Sequence, residues 1–385
     1  MHWMILTGEY PPTSGGVSDY TRLVARALAA AGDKVDIWTP SIGDDGPLDP
    51  EVRVHYLPDH FGGRGLAELG RRFDESDPHV QLLVQYVPHA FGRKAMNLPF
   101  CLWLFRRRRS NHITIMFHEV AFPWVTGGRF FRHNFLAAVN RAMAFLLARS
   151  ARRLFVSIPG WEKMLRPYAG NQRIEWLPIP STMPQGGDRD RDRIGTLRRR
   201  LLDGRNSKIV GHFGTFGKHI ANALRSIIPQ LLTGESVPLV ILLGRGGVEF
   251  AAELERTYPH TAGCLIAPGK LEPEIVSEYL TACDLLIQPY VDGISSRRTS
   301  AMAGLACGVP ILTTSGALTE PIWSQSGAVC LVDSIHEMPS RAIALLNDEE
   351  HLSRLSSAAL KLYRDRFHID RTVSVLRSLP VSLAA

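Results

Sequence analysis

The sequence predicts an α/β protein built from two doubly wound parallel sheets. Three observations carry that expectation. Short apolar, β-branched runs alternate with helix-periodic stretches from end to end, as strands joined by helical crossovers do. A break at Pro178-Ile179-Pro180-Ser181-Thr182-Met183-Pro184, followed by Gly186-Gly187 and an alternating Asp/Arg run from 188 to 193, separates two such alternations and reads as a linker. A chain of 385 residues is also too long for one ordinary core and suits two domains of under ~200 residues each.

In order along the first half, strands are expected at 4–6, 35–39, 52–57, 80–86, 113–117, 154–157 and 174–176, where the apolar runs lie. Helices are expected between them at 20–31, 96–107, 130–149 and 160–168. After the linker the alternation restarts, with strands at 209–213, 239–243, 264–267, 285–288, 311–314 and 329–332. Helices are expected there at 220–232, 273–282, 299–306 and 340–346, and the tail from 352 to 379 reads as helical. Two such sheets on a hinge would enclose a cleft, the usual ligand position in this architecture.

Composition narrows the class. An apolar fraction of 45% with 21% charged residues excludes a disordered or fibrous chain. No apolar run approaches the ~20 residues of a membrane-spanning helix. The start, Met1 to Gly8, reads as a buried strand entering a turn and lacks the pattern of a signal peptide. Five dispersed cysteines (Cys101, Cys264, Cys283, Cys307, Cys330) suggest reduced thiols in a cytoplasmic protein, with neither a disulfide frame nor a zinc cluster.

The net charge of +7 is concentrated. Residues 91–153 hold twelve Lys/Arg (Arg93, Lys94, Arg106, Arg107, Arg108, Arg109, Arg129, Arg132, Arg141, Arg149, Arg152, Arg153) against the single acid Glu119, leaving the rest of the chain net acidic. The apolar stretch Leu98 to Phe105 runs straight into Arg106–Arg109, and Phe131, Phe135, Ala138, Ala142 and Phe145 recur at helical spacing. Two readings fit. These are core helices whose basic residues are merely solvated, or a surface that rests on anionic lipid headgroups at the inner face of the membrane. No nucleic-acid motif is visible.

Several loops suit phosphate or sugar. Gly15-Gly16, after the first strand, opens the first helix and can leave amides free for an anion. Gly211-His212-Phe213-Gly214-Thr215-Phe216-Gly217-Lys218, at the end of the first strand after the linker, could hold a diphosphate through backbone amides and one charge, and Leu243-Gly244-Arg245-Gly246-Gly247 forms a third turn at the end of the next strand. The densest cluster is Gln288-Pro289-Tyr290-Val291-Asp292-Gly293-Ile294, then Ser295, Ser296, Arg297, Arg298, Thr299 and Ser300, leading into the small-residue helix that ends at Gly308. Hydroxyls and arginines at a helix start fit phosphate oxygens. His118 and Glu119 close a strand at the predicted cleft, and Glu320 lies at a similar edge, where many such glutamates are simply solvated. Asp188-Arg189-Asp190 superficially resembles a metal-binding acid pair but falls in the linker.

Together, Gly15-Gly16-Val17 with Tyr20, the hinge at 178–181, and Asp284-Leu285-Leu286-Ile287-Gln288-Pro289 leading to Ala306-Cys307-Gly308-Val309-Pro310 resemble the GT-B glycosyltransferases, in particular the retaining, nucleotide-sugar-dependent family 4. The resemblance covers nearly the whole chain. It implies two Rossmann-like domains facing across a cleft, an acceptor-binding one at 1–180 and a donor-binding one at 181–364. A C-terminal helix, about 365–385, would return to the first, and no metal or other cofactor would be required. It places Gly16 near the donor phosphates, His118 beside the transferred sugar, Lys218 on the diphosphate and Gly269 near the base. The family's pair of glutamates is not reproduced. Anchoring on Ala306–Pro310 puts Ser295 and Ala303 at those positions, and anchoring on Asp292-Gly293 puts Asp292 and Ser300 there. Asp292 is taken as the first carboxylate, and the ribose contact stays unassigned.

The implied activity is transfer of a hexose from a nucleotide diphosphate sugar to an acceptor hydroxyl with retention, in cell-surface polysaccharide or glycolipid synthesis. The partners would be the donor, a glycan or lipid-linked acceptor, and an anionic membrane met through Arg106–Arg109 and Arg129–Arg153. A nucleotide-sugar epimerase or hydrolase, and a non-catalytic nucleotide-sugar-binding protein, remain as alternatives on the same frame.

Overall fold

The structure is a computed structural model that describes residues 1–378 except 14, 41–48, 77–78, 93, 126–130, 185–190, 235–236 and the side chains of 131 and 191. Arg93, Arg129, the linker glycines and Asp188-Arg189-Asp190 therefore lie outside the described residues. The chain forms two compact units, one of Met1–Ile179 with the last helix, the other of Pro180–His368.

The first unit opens with β1 (His2–Thr7), α1 (Gly16–Ala30), β2 (Lys34–Pro40) and β3 (Arg53–Leu57). It continues through α2 (Gly63–Asp74), β4 (Gln81–Tyr86), α3 (Leu98–Arg107) and β5 (His112–Phe117). It closes with α4 (Phe131–Ser150), β6 (Arg153–Val156), α5 (Pro159–Ala169) and β7 (Ile174–Trp176). All seven strands are parallel, in the order β3-β2-β1-β4-β5-β6-β7. The order reverses between β1 and β4, so the loops that follow those strands flank the crevice where such sheets take ligands.

The second unit holds α6 (Arg191–Leu202), β8 (Ile209–Phe213), α7 (Lys218–Leu231), β9 (Leu239–Leu243), α8 (Gly247–Thr257) and β10 (Leu265–Ile266). Next come α9 (Pro273–Thr281), β11 (Leu285–Gln288), α10 (Thr299–Ala306), β12 (Ile311–Thr314), α11 (Pro321–Gln325) and β13 (Cys330–Val332). Helices α12 (Met338–Leu346) and α13 (Glu349–Leu362) complete it, and α14 (Ile369–Arg377) belongs to the first unit. The sheet order is β10-β9-β8-β11-β12-β13, again parallel, with its reversal between β8 and β11.

The α/β class with two parallel sheets stands as the sequence predicts. Four helices were not anticipated, among them the single short turn of α11. Helix α2 carries a buried Leu66, Leu69 and Phe73 stripe, but Gly63, Gly65 and Gly70 interrupt it. Helix α8 follows Gly244, Gly246 and Gly247 directly, and α6 grows out of the charged run that reads as linker. The tail is not one helix. A π-helical turn at Tyr363–Phe367 ends α13, because Tyr363 and Phe367 turn inward, Phe367 stacking on Trp323 with ring centroids 5.7 Å apart and the Tyr363 hydroxyl accepting from the Ser181 amide at 3.2 Å. Helix α14 then packs on α1, and the Arg153 guanidinium donates to the carbonyls of Val375, Leu376 and Ser378 at its end.

Burial differs between the two helices of the basic sector, and α3 turns Phe100, Cys101 and Leu104 into the core. On α4 the buried side is Ala137, Asn140, Met143, Ala144, Leu147 and Ala148, while Phe135, Ala138, Ala142 and Phe145 all face solvent. The described part of the stripe is thus a surface and not a core seam, and the Phe131 side chain lies outside the described residues. All five cysteines are free thiols, and burial pushes those of Cys101 and Cys283 far up. No helix among the described residues is long and apolar enough to cross a membrane.

Candidate functional site

In the second unit, three helices start at the carboxyl ends of the central strands. Helix α7 begins after Gly217, α8 after the left-handed Gly246, and α10 after Arg298, and none of the three has a side-chain cap. Their first-turn amides and dipoles are a built-in setting for an anion. Gly214 and Gly244 bring two of these loops together. The Gly214 amide bonds the Leu243 carbonyl at 3.0 Å, and a Cβ on Gly244 (φ 121°) would overlap the Gly214 carbonyl oxygen. Only glycine allows that approach at that φ.

The loop after β11 is braced backbone to backbone against the loop after β12. Ile294 N bonds Thr314 O at 3.0 Å and Leu318 N bonds Asp292 O at 3.1 Å, and any Cβ on Gly293 (φ 84°) would overlap Thr319 and Gly316. Glu320 supplies the anchor. Buried at 5% exposure, its carboxylate accepts from the Ser296 amide at 2.9 Å, from the Ser296 hydroxyl, and from Trp323 Nε1 at 2.6 Å. It is not a solvated edge residue.

Asp292 sits between two guanidinium groups, pairing with Arg297 at 3.1 Å and with Arg298. The carboxylate therefore presents no free charge, and the three groups together carry one net positive charge. Arg298 also lies over the Tyr290 ring, 4.8 Å from its centre, and its Nε is buried without a partner among the described residues. Burial raises the Tyr290 phenol to about 12, and its hydroxyl shares a 2.8 Å hydrogen bond with Ser300. Ser295 is fully buried, its hydroxyl has no partner among the described residues, and Thr299 opens α10. Buried polar groups without partners are uncommon, and Ser295 and Arg298 place two of them in the loop that follows β11, beside the switch.

The remaining residues of this unit named from the sequence are more peripheral. Thr215 and Lys218 are exposed on the loop into α7, with Lys218 its first residue. Gly269 (φ 81°) lies in the loop after β10, and a Cβ there would meet Val248 on the first turn of α8 at 3.8 Å.

In the first unit, His118 follows β5 and is buried. Its Nε2 donates to Gln85 Oε1 at 2.8 Å, its ring meets Tyr20 edge-on at 5.0 Å, and its carbonyl accepts from Ser157 and Trp161. Burial drives its pKa down to about 3, so the imidazole is neutral at any physiological pH. Gly15 caps α1 in an extended conformation, and Gly16 is already its first residue, so the helix starts before the predicted Tyr20. The Glu9 carboxylate lies where a Gly15 side chain would be, and at 3.1 Å from His89 Nε2 it raises that imidazole's pKa. This helix start therefore faces an acid.

From the sequence, Glu320 stood only as an edge residue, and His212 and Tyr290 only as members of candidate loops, without a role of their own. Tyr290 stood in the quoted loop, and the glycines at 293 and 316 were the signal that the two loops touch.

A scan against protein-family profiles and a search of curated sequences give no match. Solved structures do. The sucrose-phosphate synthase of Thermosynechococcus elongatus superposes with a TM-score of 0.69 at 15% identity, covering 98% of this chain and 97% of that one. WaaG, a glycosyltransferase involved in lipopolysaccharide biosynthesis, gives 0.67 at 15%, over 98% and 100%. Anabaena HepE, solved with UDP and glucose, gives 0.65 at 16%, over 98% and 99%. The chain has the GT-B fold of these glycosyltransferases.

Proposed function

We propose that the protein is a retaining glycosyltransferase that moves a hexose from a nucleotide diphosphate sugar to an acceptor hydroxyl. The observation that carries this reading is the second unit's set of three uncapped helix starts around an arginine-bearing loop at the strand-order switch. The GT-B fold shared with nucleotide-sugar enzymes supports it. Transfer requires the bond between the sugar's anomeric carbon and the diphosphate oxygen to break while positive charge grows on the ring. The leaving oxygens would be met by the amides of α7, α8 and α10 and by Lys218, Arg297 and Arg298, fixed charges that need little reorganisation as the reaction proceeds. Asp292 orients both guanidinium groups toward that task. The first unit, with neutral His118 as a hydrogen-bonding rather than a charged group, would serve the acceptor.

The double variant Lys218→Ala/Arg298→Ala should lose donor turnover by at least ~100-fold, the scale of one lost electrostatic contact in a transition state. It should fold normally, since Arg297 still pairs with Asp292. Unchanged turnover removes the phosphate-cradle assignment. Turnover should persist in excess chelator, because this reading meets the leaving charge without a metal.

One further observation bears on the acceptor. Leu102, Trp124, Phe135 and Phe145, all in the basic sector, are 41–53% exposed, and Arg141 and Arg149 lie over Trp124 and Phe145. We read this as a membrane-resting face for a lipid-linked acceptor in surface-glycan synthesis, since exposed aromatics beside arginines suit the headgroup region. Sedimentation with anionic vesicles, lost at high salt and in Phe135→Ser/Phe145→Ser, is expected. Equal binding to neutral vesicles would contradict it.

A further inference from the structure

The loop after β8 suits phosphate, but the residue just inside it points to different chemistry. His212, the penultimate residue of β8, is only 3% exposed. Its Nδ1 lies 2.9 Å from the carbonyl oxygen of Ile287 on the neighbouring β11. A carbonyl can only accept, so Nδ1 carries the hydrogen and Nε2 of the neutral ring is left with a bare lone pair. That Nε2 is buried and has no hydrogen-bond partner among the described residues.

The lone pair borders a definite space. At the position of a Cβ on Gly214, the nearest atoms are His212 Nε2 at 3.7 Å and the Ser300 hydroxyl at 3.8 Å. With glycine there, the space stays open. One side presents an acceptor, and the other a hydroxyl already sharing a bond with Tyr290. A phosphate oxygen has only lone pairs and would be repelled by Nε2. A hydroxyl, which can donate, would satisfy it. Protonation offers no escape, since burial pulls the imidazole down to about 4.

Resting on the donor site proposed above, we propose that His212 is a positioning residue that reads a hydroxyl of the nucleotide sugar. A ribose or hexose hydroxyl seated beside Gly214 donates to His212 Nε2, and Ser300 is the neighbouring contact. The site then discriminates by hydroxyl placement as well as by charge, because a ligand lacking that hydroxyl leaves the buried acceptor unpaired.

The test is calorimetric, on the full chain. Wild type is titrated with UDP-glucose, GDP-mannose and ADP-glucose, then with the nucleoside diphosphate of whichever binds, its deoxyribose analogue, and inorganic pyrophosphate. His212→Phe keeps a flat ring and removes the acceptor, and should weaken nucleotide-sugar binding about 10- to 100-fold, as loss of one buried hydrogen bond does. His212→Gln, whose amide oxygen reaches the Nε2 position, should recover part of it, and pyrophosphate binding should be unchanged in both. A loss confined to the nucleotide sugar assigns the hexose hydroxyl. A loss shared with the nucleoside diphosphate, and absent when the deoxy analogue is the probe, assigns the ribose.

A readout on the wild type does not depend on the variants folding. The ¹⁵N resonance of His212 Nε2 should move on binding toward the hydrogen-bonded value without becoming that of a protonated ring. Wild-type affinity in His212→Phe, an equal loss for pyrophosphate, or an unmoved resonance at saturation would overturn the assignment. Failure of wild type to bind any of the three sugars would instead bring down the donor-site reading, and this one with it.

Discussion

Glu320→Gln tests the architecture of the site most directly. The substitution keeps shape and volume and changes only charge and one acceptor. In the native unit the Ser296 amide meets both oxygens, Oε1 at 2.9 Å and Oε2 at 3.2 Å, the Ser296 hydroxyl meets Oε1, and Trp323 Nε1 meets Oε2. A glutamine has one oxygen. Turned to the Oε1 side, it leaves its NH2 against the Trp323 N–H; turned to the Oε2 side, its NH2 can donate to the Ser296 hydroxyl while the Ser296 amide keeps only its 3.2 Å contact, which is the cheaper arrangement. Exchanging a charged for a neutral acceptor on these donors costs about 1.5–3 kcal/mol. Relief of burying the carboxylate offsets part of this, leaving a net of about 1–2 kcal/mol. For a unit of this length, 1 kcal/mol shifts Tm by about 2–4 °C, so calorimetry should find the second unit's transition about 2–8 °C lower. Because Ser296 precedes Arg297 and Arg298, nucleotide-sugar affinity should fall as well. Ser296→Ala, which removes only the hydroxyl contact, should cost less than Glu320→Gln. A Tm within ~1 °C of wild type for Glu320→Gln would refute the anchoring role and with it the argument that this loop is preorganised.

Two other outcomes follow from the geometry. Gly244→Ala should destabilise the second unit by about 2–4 kcal/mol in urea unfolding, since its φ of 121° strains any side chain and its Cβ would strike the Gly214 carbonyl; a shift under 0.5 kcal/mol would show that the two loops part easily. Acid should destabilise both units through His118 and His212. Their folded pKa values, about 3 and about 4, lie below the ordinary 6.5, so the unfolded chain binds more protons and stability is lost as pH falls from 6.5 toward those values. By pH 5 that amounts to about 2 kcal/mol for each histidine, and replacing His212 by Gln should flatten the pH dependence of the second unit's transition while leaving the first unit's unchanged.

Much of the frame was legible because a parallel strand is buried on both faces, so Leu239-Val240-Ile241-Leu242-Leu243 can hardly be anything else. The loops at strand ends announced themselves through glycine, as at 214, 244 and 293. What was illegible was local pattern overridden by context. The stripe of α2 was hidden by its glycines, α6 looked like a charged linker, and the aromatic stripe of α4 reads the same whether it faces a core or solvent.

The sequence by itself determined the two sheets, their strands and the loops that could meet a ligand, because those follow from apolar runs and turn chemistry within a few residues. Tertiary structure alone decided the state of the groups in those loops. Asp292 is neutralised by Arg297 and Arg298, Glu320 is buried as an anchor by Ser296 twenty-four residues away, and His212 keeps a bare lone pair because the Ile287 carbonyl, on a strand seventy-five residues further on, claims its only proton. Protonation and pairing depend on what stands within 3 Å in space, and the chain order does not record that distance.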